Sequence, residues 1–231
     1  SGMSNLATTG MLIDDTVVDA YLSLLVNECH QSLEKDHLAA VQCGAYPWMA
    51  GQGYEAGAHN FTNKSVHFLP GFFGANLCGH WTAIFTDLEC AKEEVGALVF
   101  LDSIASCRQS NYKHVETTFQ NSPHAVTRKH YVLIDSPEQA VSSMDCAVFM
   151  LGAFAHWALR SDITHLPTKF QLKDGVSTAI YGCQMRRHIH ETIKNCKIDL
   201  NDQILVQCCF LDYKQNLGCI VVFHCSAVSN W

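Results

Sequence analysis

The sequence lacks any apolar run that approaches the roughly 20 residues needed to cross a bilayer, and it does not open with a basic segment followed by an apolar core. We therefore expect neither membrane insertion nor a conventional secretory signal. Basic residues are also scarce, because 15 Lys and Arg stand against 22 Asp and Glu, giving a formal net charge of -7 and a pI near 6.0. Nonspecific nucleic-acid binding needs clustered cations, so this balance argues against a phosphate-backbone partner.

Zinc-type cysteine spacing is absent too. The chain contains 12 cysteines, but no two of them have the CxxC interval of a zinc knuckle, so we expect no metal site. Disulfide frameworks suit short secreted chains, whereas 231 residues with 48% hydrophobic composition can be held together by a core. We therefore expect mostly buried free thiols and a reducing compartment, cytoplasmic or nuclear, or a host cell if the protein is a delivered effector.

The distribution of apolar residues predicts an α+β domain with a central mixed sheet flanked by helices. Asp14 and Asp15 are natural N-cap residues, and helical periodicity after them predicts a first helix that ends near Glu28. Short β-branched and aromatic runs predict strands at 66–69, 81–85, 97–101 and 131–134, and a helix at 110–120 separates the last two. The length suits one domain over residues 1–231, with a core over about 11–196.

Two segments stand apart from this core pattern. Residues 42–63 are rich in glycine and predict a long surface loop, which either lines a substrate groove or is a plain connection. Residues 203–211 and 218–224 are strand candidates joined by a polar turn, which predicts a C-terminal β-hairpin over about 203–225. The hairpin could extend the sheet, cover one of its edges or form a partner surface.

Three residues of catalytic type occur in the order His, Asp, Cys, each at the edge of an apolar element. His80 begins a strand, Asp102 ends the next, and Cys146 opens a predicted helix that runs to about Leu159. A base at a strand end can reach a nucleophile at a helix start while its other ring nitrogen bonds to a carboxylate. The helix N-terminus favours the thiolate. Each residue alone has an ordinary structural interpretation, but together they predict a thiol nucleophile with a His–Asp base.

Because the cysteine comes last, the order differs from that of papain-like enzymes. The sequence resembles the Ulp/SENP family of ubiquitin-like-protein proteases in clan CE, which also holds adenovirus-type proteases and bacterial effector deubiquitinases. Five segments carry the resemblance in the family's order: LIDD (12–15), HWTAI (80–84), LDS (101–103), DCAVF (145–149) and MRRHIHETI (185–193). They are similar, in turn, to the family's opening motif, catalytic His-Trp strand, Asp strand, nucleophile turn and closing helix.

The resemblance implies a papain-like, Ulp-type fold and a single catalytic domain. It implies a cysteine isopeptidase that cleaves after the C-terminal diglycine of ubiquitin or a SUMO-like modifier, using His80, Asp102 and Cys146 and neither cofactor nor metal. In the family an upstream Gln side chain joins the nucleophile amide in binding the oxyanion. Gln139 is the nearest candidate here, although it stands one position further from the cysteine than in the family pattern.

The same resemblance implies a set of substrate-binding residues. In the family, the aromatic residue after the catalytic His and the Trp of the opening motif close a narrow tunnel over the diglycine tail. Trp81 takes the first position and Met11 the second, and a flexible methionine can pack over glycine without forming a flat lid. Asp14 and Asp145 complete the predicted set. Ala147 replaces the usual glycine after the nucleophile.

Three other functions fit the same residues. YopJ-like acetyltransferases share the catalytic order but transfer acetyl from coenzyme A, and they rely on a polyanionic inositol phosphate that the acidic balance of this chain disfavours. A viral-type processing protease would cut a peptide bond in a polyprotein. A catalytically silent module would bind a ubiquitin-like protein without cleaving it.

Overall fold

The computed structural model describes residues 11–41, 43, 66–73, 79–87, 96–120, 128–140, 143–159 and 167–212. In chain order, the elements are α1 (Asp15–Leu33), β1 (Leu38–Ala40), β2 (Val66–Phe73), β3 (His80–Asp87), β4 (Gly96–Leu101), α2 (Ala105–Gln120), β5 (Arg128–Ile134), α3 (Cys146–Leu159), β6 (Pro167–Leu172), α4 (Thr178–Asn195), a 3₁₀ turn (Gln203–Val206) and β7 (Cys208–Asp212). None of these helices is long and apolar enough to cross a membrane.

Five strands form the central sheet in the order β1-β2-β3-β4-β5. The outer pairs, β1 with β2 and β4 with β5, are parallel, whereas β3 is antiparallel to both of its neighbours. The prediction of an α+β class with a central mixed sheet is therefore confirmed. All four predicted strands are present, and β1 is an additional edge strand that the sequence pattern did not predict.

The two faces of the sheet pack against different helices. Phe85 and Val99 belong to the larger core, whereas their neighbours Ile84 and Phe100 belong to a smaller cluster, as the two-residue period of strands requires. The larger core contains α3, whose side chains are buried around its whole circumference up to Ala158. The smaller cluster contains the buried face of α2. The central helix that begins at the predicted nucleophile is therefore held on all sides.

The first arm of the predicted C-terminal hairpin, residues 203–211, is a strand only over its second half, where β7 begins at Cys208, and the second arm lies outside the described residues. Gln203–Val206 forms a 3₁₀ turn because the Asp202 side chain caps it at the amide of Ile204, and consecutive Ile204 and Leu205 are both buried. A strand would place such neighbours on opposite faces. The strand that does form, β7, pairs antiparallel with β6, which was not predicted. This strand pair packs on α3, with the Phe210 ring 5.1 Å from Trp157.

Two of the predicted helices are longer in the structure than expected, α1 at its C-terminal end and α2 at its N-terminal end. Helix α1 continues past Glu28 because Cys29 still packs into the core, and α2 begins at Ala105, earlier than expected. Helix α3 has the predicted bounds. The expected burial of the thiols holds for half of the eight described cysteines, because Cys107 and Cys209 are partly exposed and Cys183 and Cys196 are exposed. Apart from Cys43, the predicted 42–63 loop lies outside the described residues.

Candidate active site

Antiparallel pairing of β3 with β4 brings two of the predicted catalytic residues together. His80 is the first residue of β3, and Asp102 follows Leu101 at the end of β4. Because antiparallel neighbours place the start of one strand beside the end of the other, both side chains reach the same edge of the sheet. His80 Nε2 lies 2.7 Å from Asp102 Oδ1, and both side chains are buried. Strand register thus brings the predicted base and its predicted carboxylate partner together.

The Asp102 carboxylate is fully buried and accepts hydrogen bonds on both oxygens. Oδ1 accepts from His80 and from the backbone amide of Ile104, the latter at 2.8 Å. Oδ2 accepts from Asn111 Nδ2 at 2.8 Å and from the thiol of Cys107 at 3.8 Å. Ile104 precedes α2, and the two donors to Oδ2 lie on its first turns. A carboxylate with this many donors has one orientation, and it therefore fixes the imidazole plane.

The backbone at Asp102 is fixed as well. Arg108 donates from Nε to the carbonyl oxygen of Asp102 at 2.9 Å, from its NH1 to Asp135 Oδ1 at 2.7 Å and from its NH2 to the carbonyl of Ser136 at 3.0 Å. The Ser136 hydroxyl also donates to the Asp102 carbonyl. One guanidinium thus joins the end of β4 to the segment that follows β5.

Cys146 is the first residue of α3 and is buried beside His80. The thiol is close enough to interact with the ring, although His80 Nδ1 is buried without a hydrogen-bond partner of standard geometry. Burial by itself lowers the pKa of His80, but hydrogen bonding and charge interactions with Asp102 and Cys146 raise that pKa more, to about 9. The surroundings therefore favour the imidazolium form of His80 beside the Cys146 sulfur.

Gln139 reaches the nucleophile loop despite its extra residue of separation. Its Oε1 accepts from the Ser103 hydroxyl at 2.8 Å, and its Nε2 donates to the carbonyl of Ser143 at 2.9 Å. The amide of Ser143 donates to the carbonyl of Ala140 at 2.8 Å. An amide nitrogen has two hydrogens, so one N–H of Gln139 stays available beside the loop that leads to Cys146.

The predicted substrate-binding residues Trp81, Met11 and Asp14 lie around the first turn of α1. Trp81 is buried, donates from Nε1 to the carbonyl of Ile13 at 2.9 Å and packs on Phe72 with ring centroids 4.7 Å apart. Asp14 caps α1 by accepting from the amide of Val17. A cavity of about 370 Å³ opens here, lined by Leu12, Ile13, Asp14, Asp15, Cys43, Phe72 and Trp81. Met11 is 44% exposed at the end of the described segment.

The structure places Asp145 in contact with α4. Its Oδ1 accepts from Arg186 Nε at 2.7 Å, and Arg186 NH2 also donates to the carbonyls of Met11 at 2.9 Å and Met144 at 2.8 Å. The carboxylate predicted to bind substrate therefore has a partner inside the protein. Direct contact between Asp145 and a substrate stays a prediction.

Sequence reasoning missed several residues of this site, among them Arg186, Asn111 and Cys107. One signal was available for the first, because Arg186 stands four residues after Gly182 on the apolar face of an amphipathic helix, where a cation needs an internal partner. No comparable signal marks Asn111 and Cys107, which lie on a largely polar helix.

Among the described residues, one group of side chains has the geometry of potential metal ligands. Atoms of His80, Asp102 and Cys107 lie within 4.8 Å of one another. The hydrogen bonds from the imidazole and the thiol to Asp102 account for this grouping. An ion would have to displace the bond that orients the imidazole, so the residues fit a catalytic pair better than a metal centre. The expectation of no metal stays a prediction.

Comparison with known proteins gives no match by sequence, because neither a protein-family model nor a curated protein matches the chain. Solved structures do match. A Ulp1 SUMO protease whose catalytic cysteine is oxidised to a sulfenic acid is 14% identical, with a TM-score of 0.55 over 88% of this chain and 83% of that one. The Chaetomium thermophilum Ulp1-like SUMO protease catalytic domain is 15% identical, with a TM-score of 0.53 over 84% and 77%.

The Xanthomonas campestris effector XopD, solved bound to ubiquitin, is 12% identical, with a TM-score of 0.52 over 76% of this chain and 90% of that chain. The chain therefore has the fold of the Ulp-type cysteine proteases. The resemblance read from the sequence is confirmed at this level. At these identities the comparison defines the fold, and the function rests on the site.

Proposed function

We propose that the protein is a cysteine protease that cleaves after the C-terminal diglycine of ubiquitin or a ubiquitin-like modifier. The observation that carries the proposal is His80, which lies between the buried carboxylate of Asp102 and the thiol of Cys146 at the start of a buried helix. The Ulp-type fold supports the assignment of class. The roles of individual residues rest on the geometry of this chain.

In the proposed mechanism, His80 holds the proton of Cys146 as an imidazolium, and the thiolate attacks the carbonyl carbon of the terminal glycine. The Cys146 amide and Gln139 Nε2 donate to the resulting oxyanion. His80 then protonates the leaving lysine amine, and the C–N bond breaks to leave a thioester on Cys146. Water, activated by the neutral imidazole, hydrolyses the thioester and restores the thiol.

The proposed substrate-tail site lies around the first turn of α1. Trp81 follows the base along β3, and Met11 has an exposed side chain that can cover a glycine backbone. The neighbouring cavity has the apolar walls and acidic rim suited to an extended peptide tail, with Asp14 at its edge. The SUMO proteases and the ubiquitin-bound effector of the same fold make both modifiers candidates.

The proposed chemistry needs neither cofactor nor metal, because nucleophile, base and donors are all protein groups. The partners are the modifier and its conjugates, with no role for nucleic acid or membrane. Cys146 must stay reduced to act, and the described cysteines are free thiols, which supports a reducing compartment such as cytoplasm or nucleus, whether in the producing cell or in a host.

The test is covalent labelling by a panel of full-length modifiers. Ubiquitin, SUMO and other ubiquitin-like proteins that carry a C-terminal electrophile would be incubated with the protein, and the adduct mass and labelled peptide measured. We expect at least one modifier to label Cys146, and Cys146→Ala to abolish the adduct. The same change at Cys183, an exposed cysteine on α4, is the matched control and should leave labelling intact.

Other outcomes would refute the proposal in different ways. Acetylation of a protein from acetyl coenzyme A without labelling by any modifier would indicate an acetyltransferase. Tight binding to a modifier with no adduct would indicate a silent module. Cleavage confined to internal peptide bonds of a polyprotein would indicate a processing protease. Labelling that survives Cys146→Ala but disappears with Cys183→Ala would show that the probe reports surface reactivity.

A further inference from the structure

One buried guanidinium joins the two backbone segments that flank the candidate nucleophile. Arg186 is almost fully buried on α4, 41 residues from Asp145 and 175 from Met11 in sequence. A single nitrogen, NH2, contacts the carbonyl oxygens of both Met11 and Met144. The segment that carries the proposed lid and the segment that leads to Cys146 are therefore held at a short, fixed separation.

The two residues whose carbonyl oxygens Arg186 holds both have exposed side chains. Met11 is 44% exposed and Met144 is 37% exposed, although their carbonyl oxygens are tied to the same buried nitrogen. Both side chains belong to the small set of large apolar residues that the described part of the protein presents to solvent. Their backbone is fixed while their flexible side chains stay free to contact a ligand.

Stability alone does not account for this arrangement. Arg186 is buried and its partner Asp145 is largely shielded from solvent, and a buried ion pair adds little net stability compared with apolar residues of similar size. In addition, Arg186 NH1 is buried and has no hydrogen-bond partner, which is unfavourable. What the guanidinium does provide is geometry, because three bonds from a planar group define the orientation of Asp145 and both carbonyls.

The other carboxylate oxygen of Asp145, Oδ2, lies close to the backbone of α4 at Gly182. A Cβ atom at Gly182 of α4 would lie 3.0 Å from Asp145 Oδ2. Glycine in the middle of a helix is unfavourable relative to alanine, yet it is the residue that leaves room for this carboxylate. Asp145 therefore lies between a guanidinium on one side and the helix backbone on the other, immediately before the candidate nucleophile.

From these contacts we propose that Arg186 is a positioning residue for the protease reaction: acting through Asp145 and the Met144 carbonyl it fixes Cys146 against His80, and through the Met11 carbonyl it fixes the lid over the substrate tail. The inference rests on the proposed function for its substrate arm, whereas the alignment of Cys146 can be measured without a substrate. Arg186 does not contact the reacting atoms itself.

The experiment compares Arg186→Met with Arg187→Met, a matched control at the exposed neighbouring position of the same helix. Three quantities would be measured on the full chain: the rate of Cys146 alkylation by iodoacetamide, kcat and KM on a modifier with a C-terminal fluorophore, and the NMR titration of the His80 ring. We expect Arg186→Met to slow alkylation at least about 10-fold, lower kcat, raise KM and lower the pKa of His80, since a displaced thiol no longer supports the imidazolium. Arg187→Met should change each quantity less than about twofold.

Three further variants separate positioning from folding. Asp145→Asn keeps the bonds from Arg186 to both carbonyls but removes the charge beside Cys146, so it should slow alkylation and lower kcat less than Arg186→Met does. Arg186→Lys retains the charge but not the planar fork, so it should restore only part of the alkylation rate. Gly182→Ala favours the helix but crowds Asp145, so it should slow alkylation severalfold without lowering the melting temperature.

The proposal is overturned if Arg186→Met and Gly182→Ala alter only the melting temperature and leave alkylation and the His80 titration at wild-type values. A wild-type protein that cleaves no modifier, yet shows the expected alkylation pattern in all variants, would refute the proposed function and leave the positioning role standing. A wild-type protein that cleaves a modifier while Arg186→Met keeps normal kcat and KM would support the proposed function and refute the positioning role.

Discussion

The two ring nitrogens of His80 lie in opposite surroundings. On the Nε2 side, Asp102 is fully buried and each carboxylate oxygen accepts hydrogen bonds from the protein. On the Nδ1 side, the ring faces Cys146 without a hydrogen bond of standard geometry. This assignment of the two nitrogens is the reverse of the one in Ser-His-Asp triads, where Nε2 faces the nucleophile.

The difference shows how the site can be rigid and reactive together. Both oxygens of Asp102 already accept hydrogen bonds from the protein, so the plane and the protonation of the imidazole are set before any substrate arrives. On the thiol side Nδ1 has no standard hydrogen bond, so in the proposed mechanism a proton can move between the Cys146 sulfur, Nδ1 and the leaving group without breaking a hydrogen bond that holds the ring. Three predictions test this difference between the two sides of the His80 ring.

The largest effect is expected from Asp102→Asn. An asparagine placed here has an accepting oxygen on one side and a donating NH₂ on the other, whereas the protein offers donors to both oxygens of Asp102, so the NH₂ must face either the Ile104 amide or Asn111. The substitution also leaves His80 without its anionic partner. We expect kcat/KM for a modifier substrate to fall by about 10³-fold or more, measured by steady-state kinetics.

Asp174→Asn is the matched control, because Asp174 is exposed in the turn after β6 and takes no part in the site. It should leave kcat/KM within about twofold of the wild-type value. If Asp102→Asn retained a tenth or more of the wild-type activity, the hydrogen-bonded carboxylate of Asp102 would not be what orients His80.

The second prediction concerns the dependence of stability on pH. The pKa of His80 rises from its ordinary value of 6.5 to about 9 in the folded protein. A raised pKa on a basic group stabilises the fold fully below pH 6.5 and loses that stabilisation as pH rises through 9. We expect a loss on the order of 3 kcal/mol in the free energy of unfolding across this window, measured by urea denaturation.

His80→Gln should remove most of this pH dependence, because glutamine can still donate to Asp102 but does not titrate. Cys146→Ala should reduce it, because part of the raised pKa of His80 comes from Cys146. A wild-type protein whose unfolding free energy stayed flat from pH 6.5 to 9 would show that the imidazolium is not stabilised in the folded state.

The parts of the site that could be predicted from the sequence are those marked by local sequence patterns. His80, Asp102 and Cys146 each mark the end of an apolar element, and element ends are visible in local periodicity. Their convergence followed from two antiparallel strands and the helix after them. Gln139 was named from the family resemblance, as the nearest glutamine upstream of the cysteine, and in the structure it contacts Ser103 and Ser143.

The residues that escaped prediction act over distances that no local pattern reveals. Arg186 meets Asp145 across 41 residues and the Met11 carbonyl across 175. Strand β6 was missed for a related reason: its burial does not alternate and its pairing with β7 is irregular near Pro167, so the two-residue period is lost. In both cases tertiary contacts, rather than propensity, decide the structure.

The smallest effect is expected from Asn111→Ala. The substitution removes the amide that donates to Asp102 Oδ2 at 2.8 Å and leaves only the weaker thiol donor of Cys107 at 3.8 Å on that oxygen. Oδ1 keeps its hydrogen bonds to His80 and Ile104, so His80 stays in place, but the Asp102 carboxylate can rotate more freely. We expect kcat to fall about 10-fold with little change in KM.

Gln109→Ala provides the control for this last variant, because Gln109 is an exposed amide two residues away on the same helix. It tests whether shortening any amide side chain on α2 disturbs the site. If both variants lost activity equally, the helix as a whole would support Asp102, and Asn111 would have no special part. If only Asn111→Ala lost activity, the number of donors on the carboxylate would control the base, since a partner free to rotate no longer fixes the plane of the imidazole.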